Sequence, residues 1–330
     1  RWRGLDVAVK KIYPENMEKF GSETSSTLSE ASMSEVSTIS NNYNNDTPSK
    51  CFAFANNQLN EIALTMLSNL EIGVMMRLRH PRIITFLGAG EIVGPPLLND
   101  VRFKVGIFVM LEYAAGGDLT QRLKTAAGSV TLFPWIDRIQ CAMDIAEGMS
   151  YIHSEGFLHR DLKSLNVLCD AHGRCMIADL GLVCSNIRPS TLLLGSTKKN
   201  NQCDISDIEE QSKNAGSDVD FNTMWKGTAQ WMAPEVMGNN NYGFKADVYS
   251  FGIVMYELLT CRTPWKGNSF TSEIRDAVKM NKRPTINASD LVDAPNDFVA
   301  LMKICWDTNP NERPTFNEVL DNLKNTITNL

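Results

Sequence analysis

The sequence has no apolar run near the roughly 18 to 20 residues that a membrane-crossing helix needs, and its opening Arg1-Trp2-Arg3 has no apolar core of the secretory type. It also has no surplus of positive charge. With a net charge of -6 and a pI near 5.4, a concentrated basic face able to displace counterions from nucleic acid is not expected. Eight cysteines are present, but none stands in a Cys-x-x-Cys or other metal-ligand spacing. The expectation is therefore reduced thiols in an intracellular compartment, most simply the cytoplasm. No internal repeat stands out, and the first residue is not Met, which suggests a fragment whose missing part carries signals of its own.

What is present points to a large soluble chain. At 330 residues and 43% hydrophobic content, two cores are expected from a prior of about 150 residues per domain. Val7-Ala8-Val9-Lys10-Lys11-Ile12 reads as a short β-branched strand. Residues 21–49 then turn to Ser, Thr and Asn with almost no large apolar side chains, so a disordered insertion is expected over about 15–55. Leu59, Ile62, Met66, Leu70, Val74 and Leu78 recur at helical spacing up to His80-Pro81, which predicts one long amphipathic helix. Strands are predicted from Ile83 to Leu87 and from Val105 to Leu111, followed by a Gly116-Gly117 break and a polar helix near Asp118. Farther on, Ile136, Ile139, Met143, Ala146 and Met149 predict one helical stripe, while Val248 to Leu259 is apolar on nearly every side and belongs in a core. A second polar stretch over about 185–222 is expected to be mobile.

Three polar motifs fall in one order along the second half: His159-Arg160-Asp161-Leu162-Lys163-Ser164-Leu165-Asn166, then Asp179-Leu180-Gly181, then Gly227-Thr228-Ala229-Gln230-Trp231-Met232-Ala233-Pro234-Glu235. Val167-Leu168 follows the first and Met176-Ile177-Ala178 leads the second, so short strands are expected to flank loops carrying charged groups. Taken singly, Asp161, Asn166 and Asp179 are ordinary turn formers. Their order is not ordinary. The set resembles the eukaryotic protein-kinase catalytic domain, whose motifs are a standard worked case in protein chemistry. The Trp231-Met232 string looks most like the tyrosine-kinase-like group of Ser/Thr kinases.

That resemblance implies an α+β, bilobal fold: a small, mostly antiparallel β lobe with one long helix over 1–113, and a large, mainly helical lobe over 114–330. It implies ATP and Mg²⁺ as cofactors, protein substrates, and an upstream activating kinase as a possible partner. Asp161 would receive or orient the substrate hydroxyl proton, and Asn166 and Asp179 would ligate Mg²⁺. Lys163 and Thr228 resemble residues of Ser/Thr kinases. Lys10 would bind phosphate; by itself it reads sooner as a solvated lysine on a strand's outer face. Glu71 would be its partner in preference to Glu61, because it lies within the apolar stripe and nine residues before His80. Ala8, Leu111, Glu112, Ala114, Asp118 and Leu168 would surround the nucleotide, with Leu111 as gatekeeper. Glu235 and Arg313 would form a buried bidentate ion pair, and Asp247 would hold the catalytic loop. Arg160 would grip a phosphorylated Thr223, which otherwise reads as a solvated loop threonine.

Two departures qualify the match. Leu180 stands where the commoner motif has Phe, a change that keeps an apolar plug. Trp2-Arg3-Gly4 would end the strand that follows the glycine-rich phosphate loop, so that loop is absent from this sequence, and neither Gly88-Ala89-Gly90 nor Gly116-Gly117 has the context to replace it. A non-catalytic pseudokinase scaffold and a tyrosine or dual-specificity kinase stay open as alternatives at this point.

Overall fold

The computed structural model describes residues 6–12, 72–93, 104–126, 131–185, 229–238, 242–266 and 271–330. Both polar insertions expected from the sequence lie largely outside these residues. The chain divides into two compact units, one comprising 1–73 and 86–113, the other 74–85 and 114–330.

The first unit contains a three-stranded antiparallel sheet in the order β1-β3-β2, with β1 Val7–Ile12, β2 Phe86–Val93 and β3 Lys104–Glu112. Its β-branched and aromatic content suits a pleated surface. The register sets Ala8 opposite Leu111 and Lys10 opposite Val109. Glycine at position 90 has a packing reason, since a Cβ there would come within 2.6 Å of the Phe108 ring.

The second strand begins later than the sequence predicts. Ile83 forms an isolated parallel bridge to Ile177, with Ile84 N–H donating to Ile177 O at 2.9 Å and Ile177 N–H donating to Arg82 O at 2.8 Å. Residues 82–84 thus spend their backbone groups on the larger unit, and pairing with β3 starts only at Phe86. Of the predicted long helix, the described part is 72–77.

The second unit is mainly helical. Its helices are α1 Leu119–Ala126, α2 Trp135–Ser154, α3 Phe244–Thr260, α4 Thr271–Lys279, α5 Asn296–Cys305 and α6 Phe316–Thr328. Every residue of α3 from Ala246 to Thr260 is buried, as expected of a helix apolar on all sides. The stripe predicted for α2 is shifted: Ile136 is 49% exposed, while Ile139, Ala142, Ile145, Ala146, Met149 and Ile152 are buried. The reason is that α2 is packed by α3, by α6 and by the strand Cys175–Ile177, so its buried arc is wider and turned from the one drawn by its large apolar residues alone. Two short hairpin strands, β5 Val167–Cys169 and β6 Cys175–Ile177, lie between the first two polar motifs, and β4 Phe157–Leu158 pairs with β7 Cys184–Ser185.

Candidate active site

The segment between β4 and β5 is held in shape by α3. Asp247, wholly buried near the start of that helix, accepts the backbone N–H of His159 at 2.9 Å and of Arg160 at 2.9 Å. A third contact, at 2.9 Å, joins its carboxylate to His153 Nε2 of α2. Burial alone would raise the Asp247 pKa, but the His153 hydrogen bond and charge and the backbone donors outweigh it and bring it below the ordinary value. This anchoring matters because Arg160 adopts φ 68°, a left-handed conformation that a non-glycine residue keeps only when its surroundings demand it. His159 is also fully buried, and burial drives its pKa down, so a neutral ring packs against Ala178 O at 3.3 Å.

Asp161 follows, 7% exposed. One carboxylate oxygen, Oδ2, accepts from Lys163 Nζ at 2.7 Å and from Asn166 Nδ2 at 2.9 Å. The other, Oδ1, is buried and has no hydrogen-bond partner among the described residues. A buried carboxylate oxygen is ordinarily satisfied; this one is an acceptor without a donor among the described residues. Asn166 sits at the end of the 3₁₀ turn Ser164–Asn166 and also donates Nδ2 to Asp161 O at 2.8 Å. With its amide hydrogens committed to Asp161, the side chain has its carbonyl oxygen left to offer.

Asp179 is brought to the same place by the β5-β6 hairpin. Ala178 N–H donates to Asn166 O at 2.8 Å, so Asp179 begins one residue beyond a backbone clamp on Asn166. It too is left-handed, with φ 57°. Among the described residues no group of three or more His, Cys, Asp or Glu is placed to hold a metal. An Asn oxygen and an Asp carboxylate are nevertheless the hard donors that Mg²⁺ takes from a protein when phosphates and waters complete its shell. The residues fit that ion.

The larger unit therefore assembles Arg160, Asp161, Lys163, Asn166 and Asp179 around one turn. Leu168 lies on β5 and forms a bridge with Asp118, whose Oδ1 accepts the Gln121 N–H at 2.9 Å and so caps α1. Ala114 is buried in this unit. Ala8 and Lys10 on β1, with Leu111 and Glu112 on β3, belong to the sheet of the first unit. Glu71, Thr223 and Thr228 lie outside the described residues. Glu235 and Arg313 form a bidentate pair, Nη1 to Oε1 at 2.6 Å and Nη2 to Oε2 at 2.9 Å.

One structural residue escaped the sequence reading. Glu257 of α3, 2% exposed, accepts from Ser164 Oγ at 2.7 Å and from Trp231 Nε1 at 2.8 Å, joining the 3₁₀ turn to the third motif. Its signal was available: a lone carboxylate in an apolar run must find donors when the helix is buried.

Comparison with known proteins agrees with this geometry. The protein kinase domain profile matches residues 22–323. The chain is 31% identical over 250 residues to the serine/threonine/tyrosine-protein kinase HT1 of Arabidopsis thaliana, covering 76% of this chain and 52% of that protein. It is 33% identical over 257 residues to the serine/threonine-protein kinase CTR1 of the same plant, covering 77% of this chain and 26% of that one. Against the dual specificity protein kinase splA of Dictyostelium discoideum it is 32% identical over 264 residues, covering 79% of this chain and 10% of the other. The chain thus spans about half or less of the length of these relatives. A profile matched over nearly the whole sequence, with an ordered aspartate, asparagine and aspartate built around one turn, makes this chain a member of the protein kinase domain family.

Proposed function

We propose that this chain transfers the γ-phosphoryl group of ATP to Ser or Thr hydroxyls of protein substrates. The observation that carries the proposal is Asp161 Oδ1, buried and unpartnered among the described residues while Oδ2 is fixed by Lys163 and Asn166. A substrate hydroxyl supplies the missing donor, and in accepting that hydrogen bond Asp161 aims the oxygen lone pair at phosphorus and receives its proton as the bond forms. Lys163, 2.7 Å from the same carboxylate, places a positive charge beside the transferring group and resembles the lysine of Ser/Thr kinases; a Ser or Thr acceptor also agrees with the relative CTR1, a serine/threonine-protein kinase. Asn166 and Asp179 would hold Mg²⁺, which when bound offsets charge on the phosphates. Lys10, with Glu71 as its partner, would bind phosphate. Ala8, Leu111, Glu112, Ala114, Asp118 and Leu168 would line the nucleotide site.

Regulation belongs to the same reading. Arg160, immediately before Asp161, would hold a phosphate on Thr223 placed there by an upstream kinase, with Thr228 anchoring the end of that segment. ATP chemistry and reduced thiols suit an intracellular location, and among the described residues no helix is long and apolar enough to cross a membrane.

The experiment is phosphoamino-acid analysis and kinetics of the natural full-length protein with Mg²⁺-ATP, compared with Asp161→Asn. We expect phosphoserine and phosphothreonine as products, and a loss of turnover by about 10² or more in the variant with nucleotide affinity retained. Equal turnover in the two proteins would remove Asp161 from the chemistry. Predominant phosphotyrosine would replace the substrate class by the tyrosine-kinase alternative, and phosphotyrosine mixed with phosphoserine or phosphothreonine by the dual-specificity one.

A further inference from the structure

Three of the eight cysteines are gathered into one cluster by the fold, although the sequence separates them. Cys141 lies on α2, Cys169 ends β5 and Cys175 begins β6, and all three are free thiols at most 1% exposed. Cys169 and Cys175 face each other directly in the hairpin register. Their backbone groups turn away from each other: Cys169 N–H donates to Gly117 O at 2.7 Å, Cys169 O accepts from Gly116 N–H at 2.9 Å, and Cys175 N–H donates to Asp144 Oδ2 at 2.9 Å. The next pair inward is the bonded one, Asp170 N–H to Arg174 O at 3.0 Å. Cys169 and Cys175 therefore occupy a non-hydrogen-bonded antiparallel site, where opposed Cα atoms stand about 4.5 Å apart and side chains lie closest. That separation falls within the range of about 4.4 to 6.8 Å that a disulfide spans without moving the backbone.

The surroundings supply a cation as well. Arg122 of α1 donates Nη1 to Cys141 Sγ at 3.5 Å and to Gly173 O at 2.8 Å. A hydrogen bond from the Cys175 thiol, reinforced by the Arg122 guanidinium against the opposing effect of burial, lowers the pKa of Cys169. Hydrogen bonds to Cys141 and Cys169, together with burial, hold Cys175 well above the ordinary thiol value. Of the two sulfurs Cys169 is thus the easier to deprotonate and Cys175 the proton donor, the division of labour of an attacking and a resolving cysteine. The Arg122 side chain that contacts this cluster is itself 26% exposed.

We propose that Cys169 and Cys175 form a reversible intramolecular disulfide when the chain meets a hydroperoxide. The Cys169 thiolate attacks one peroxide oxygen; the O–O bond breaks, a proton is taken up, and sulfenic acid and water (for hydrogen peroxide) form. The Cys175 sulfur then displaces the sulfenic oxygen, which leaves with the Cys175 thiol proton as water. Two thiols are oxidised and one peroxide is reduced. A dithiol reductant reverses the linkage by thiol–disulfide exchange.

The test is mass spectrometry of the whole chain treated with hydrogen peroxide, with remaining thiols capped by N-ethylmaleimide before digestion without reductant. Trypsin cuts after Lys163 and after Arg174, so the two cysteines fall in separate peptides, the second of which also holds Cys184. We expect those peptides to appear linked, to separate with dithiothreitol, to stay linked in Cys184→Ser and Cys141→Ser, and to appear unlinked in Cys175→Ser. Arg122→Gln should slow the linkage several-fold. Recovery of Cys169 and Cys175 both capped after peroxide, or linkage that persists in Cys175→Ser, would overturn the proposal; because the first of these outcomes is read on the unaltered chain, it does not depend on any variant folding.

Discussion

Arg313 shows how much one side chain can organise. Almost fully buried, it pairs with both oxygens of Glu235 and also donates to the carbonyls of Asp307 at 2.8 Å, Lys245 at 2.8 Å and Thr308 at 3.3 Å. Only a planar guanidinium can address five acceptors at once; an ammonium has three donors and no fork. We therefore expect Arg313→Lys to keep the charge yet lose about 3 kcal/mol of stability, since it leaves buried acceptors and part of a buried carboxylate without partners. Urea denaturation of the two proteins checks this, and a loss under about 1 kcal/mol would show the fork to be dispensable. Asp247 acts in the same way on the catalytic turn, where its value lies in geometry: it stabilises the left-handed Arg160 that aims Asp161.

Among the elements, α2 illustrates how packing can reverse a propensity. Replacing Gly by Ala inside a helix ordinarily gains about 1 kcal/mol. At Gly148, however, a Cβ would stand 2.7 Å from Arg82 O and 2.8 Å from Ile177 Cδ1. The backbone oxygen cannot swing away, because it accepts the Ile177 N–H at 2.8 Å and so ties residues 82–84 to β6. Overpacking of this kind costs about 1 to 3 kcal/mol, so we expect Gly148→Ala to be net destabilising despite its better helix propensity. The thermal midpoint should fall, and a rise would mean that α2 and the β6 strand are looser than described. At α6 local sequence and packing agree: Thr315 and Glu318 form a capping box, with Thr315 N–H donating to Glu318 Oε2 at 2.7 Å, ahead of a helix that buries Phe316, Val319 and Leu323.

At the scale of the molecule, Glu257 ties distant parts of the chain together and makes stability depend on pH. Burial raises its pKa to about 7, against the opposing effect of the Ser164 and Trp231 hydrogen bonds. A carboxyl with its pKa raised on folding contributes stability fully below its unfolded value of 4.5, and that contribution is lost as pH rises through about 7. Comparing wild type with Glu257→Gln by urea denaturation, we expect the wild type to lose about 3 kcal/mol relative to the variant between pH 4.5 and pH 8. A pH-independent difference would mean that Glu257 titrates normally. Local patterns in the sequence were enough to reveal the apolar α3 helix, the strands beside the first two motifs and the order of Asp161, Asn166 and Asp179, because each depends on residues close together in the chain. The sequence did not reveal where β2 begins, which face α2 buries, the donors around Glu257, or the meeting of Cys141, Cys169 and Cys175. Those depend on which backbone and side-chain groups segments far apart in sequence present to one another, and only the packed tertiary structure decides that.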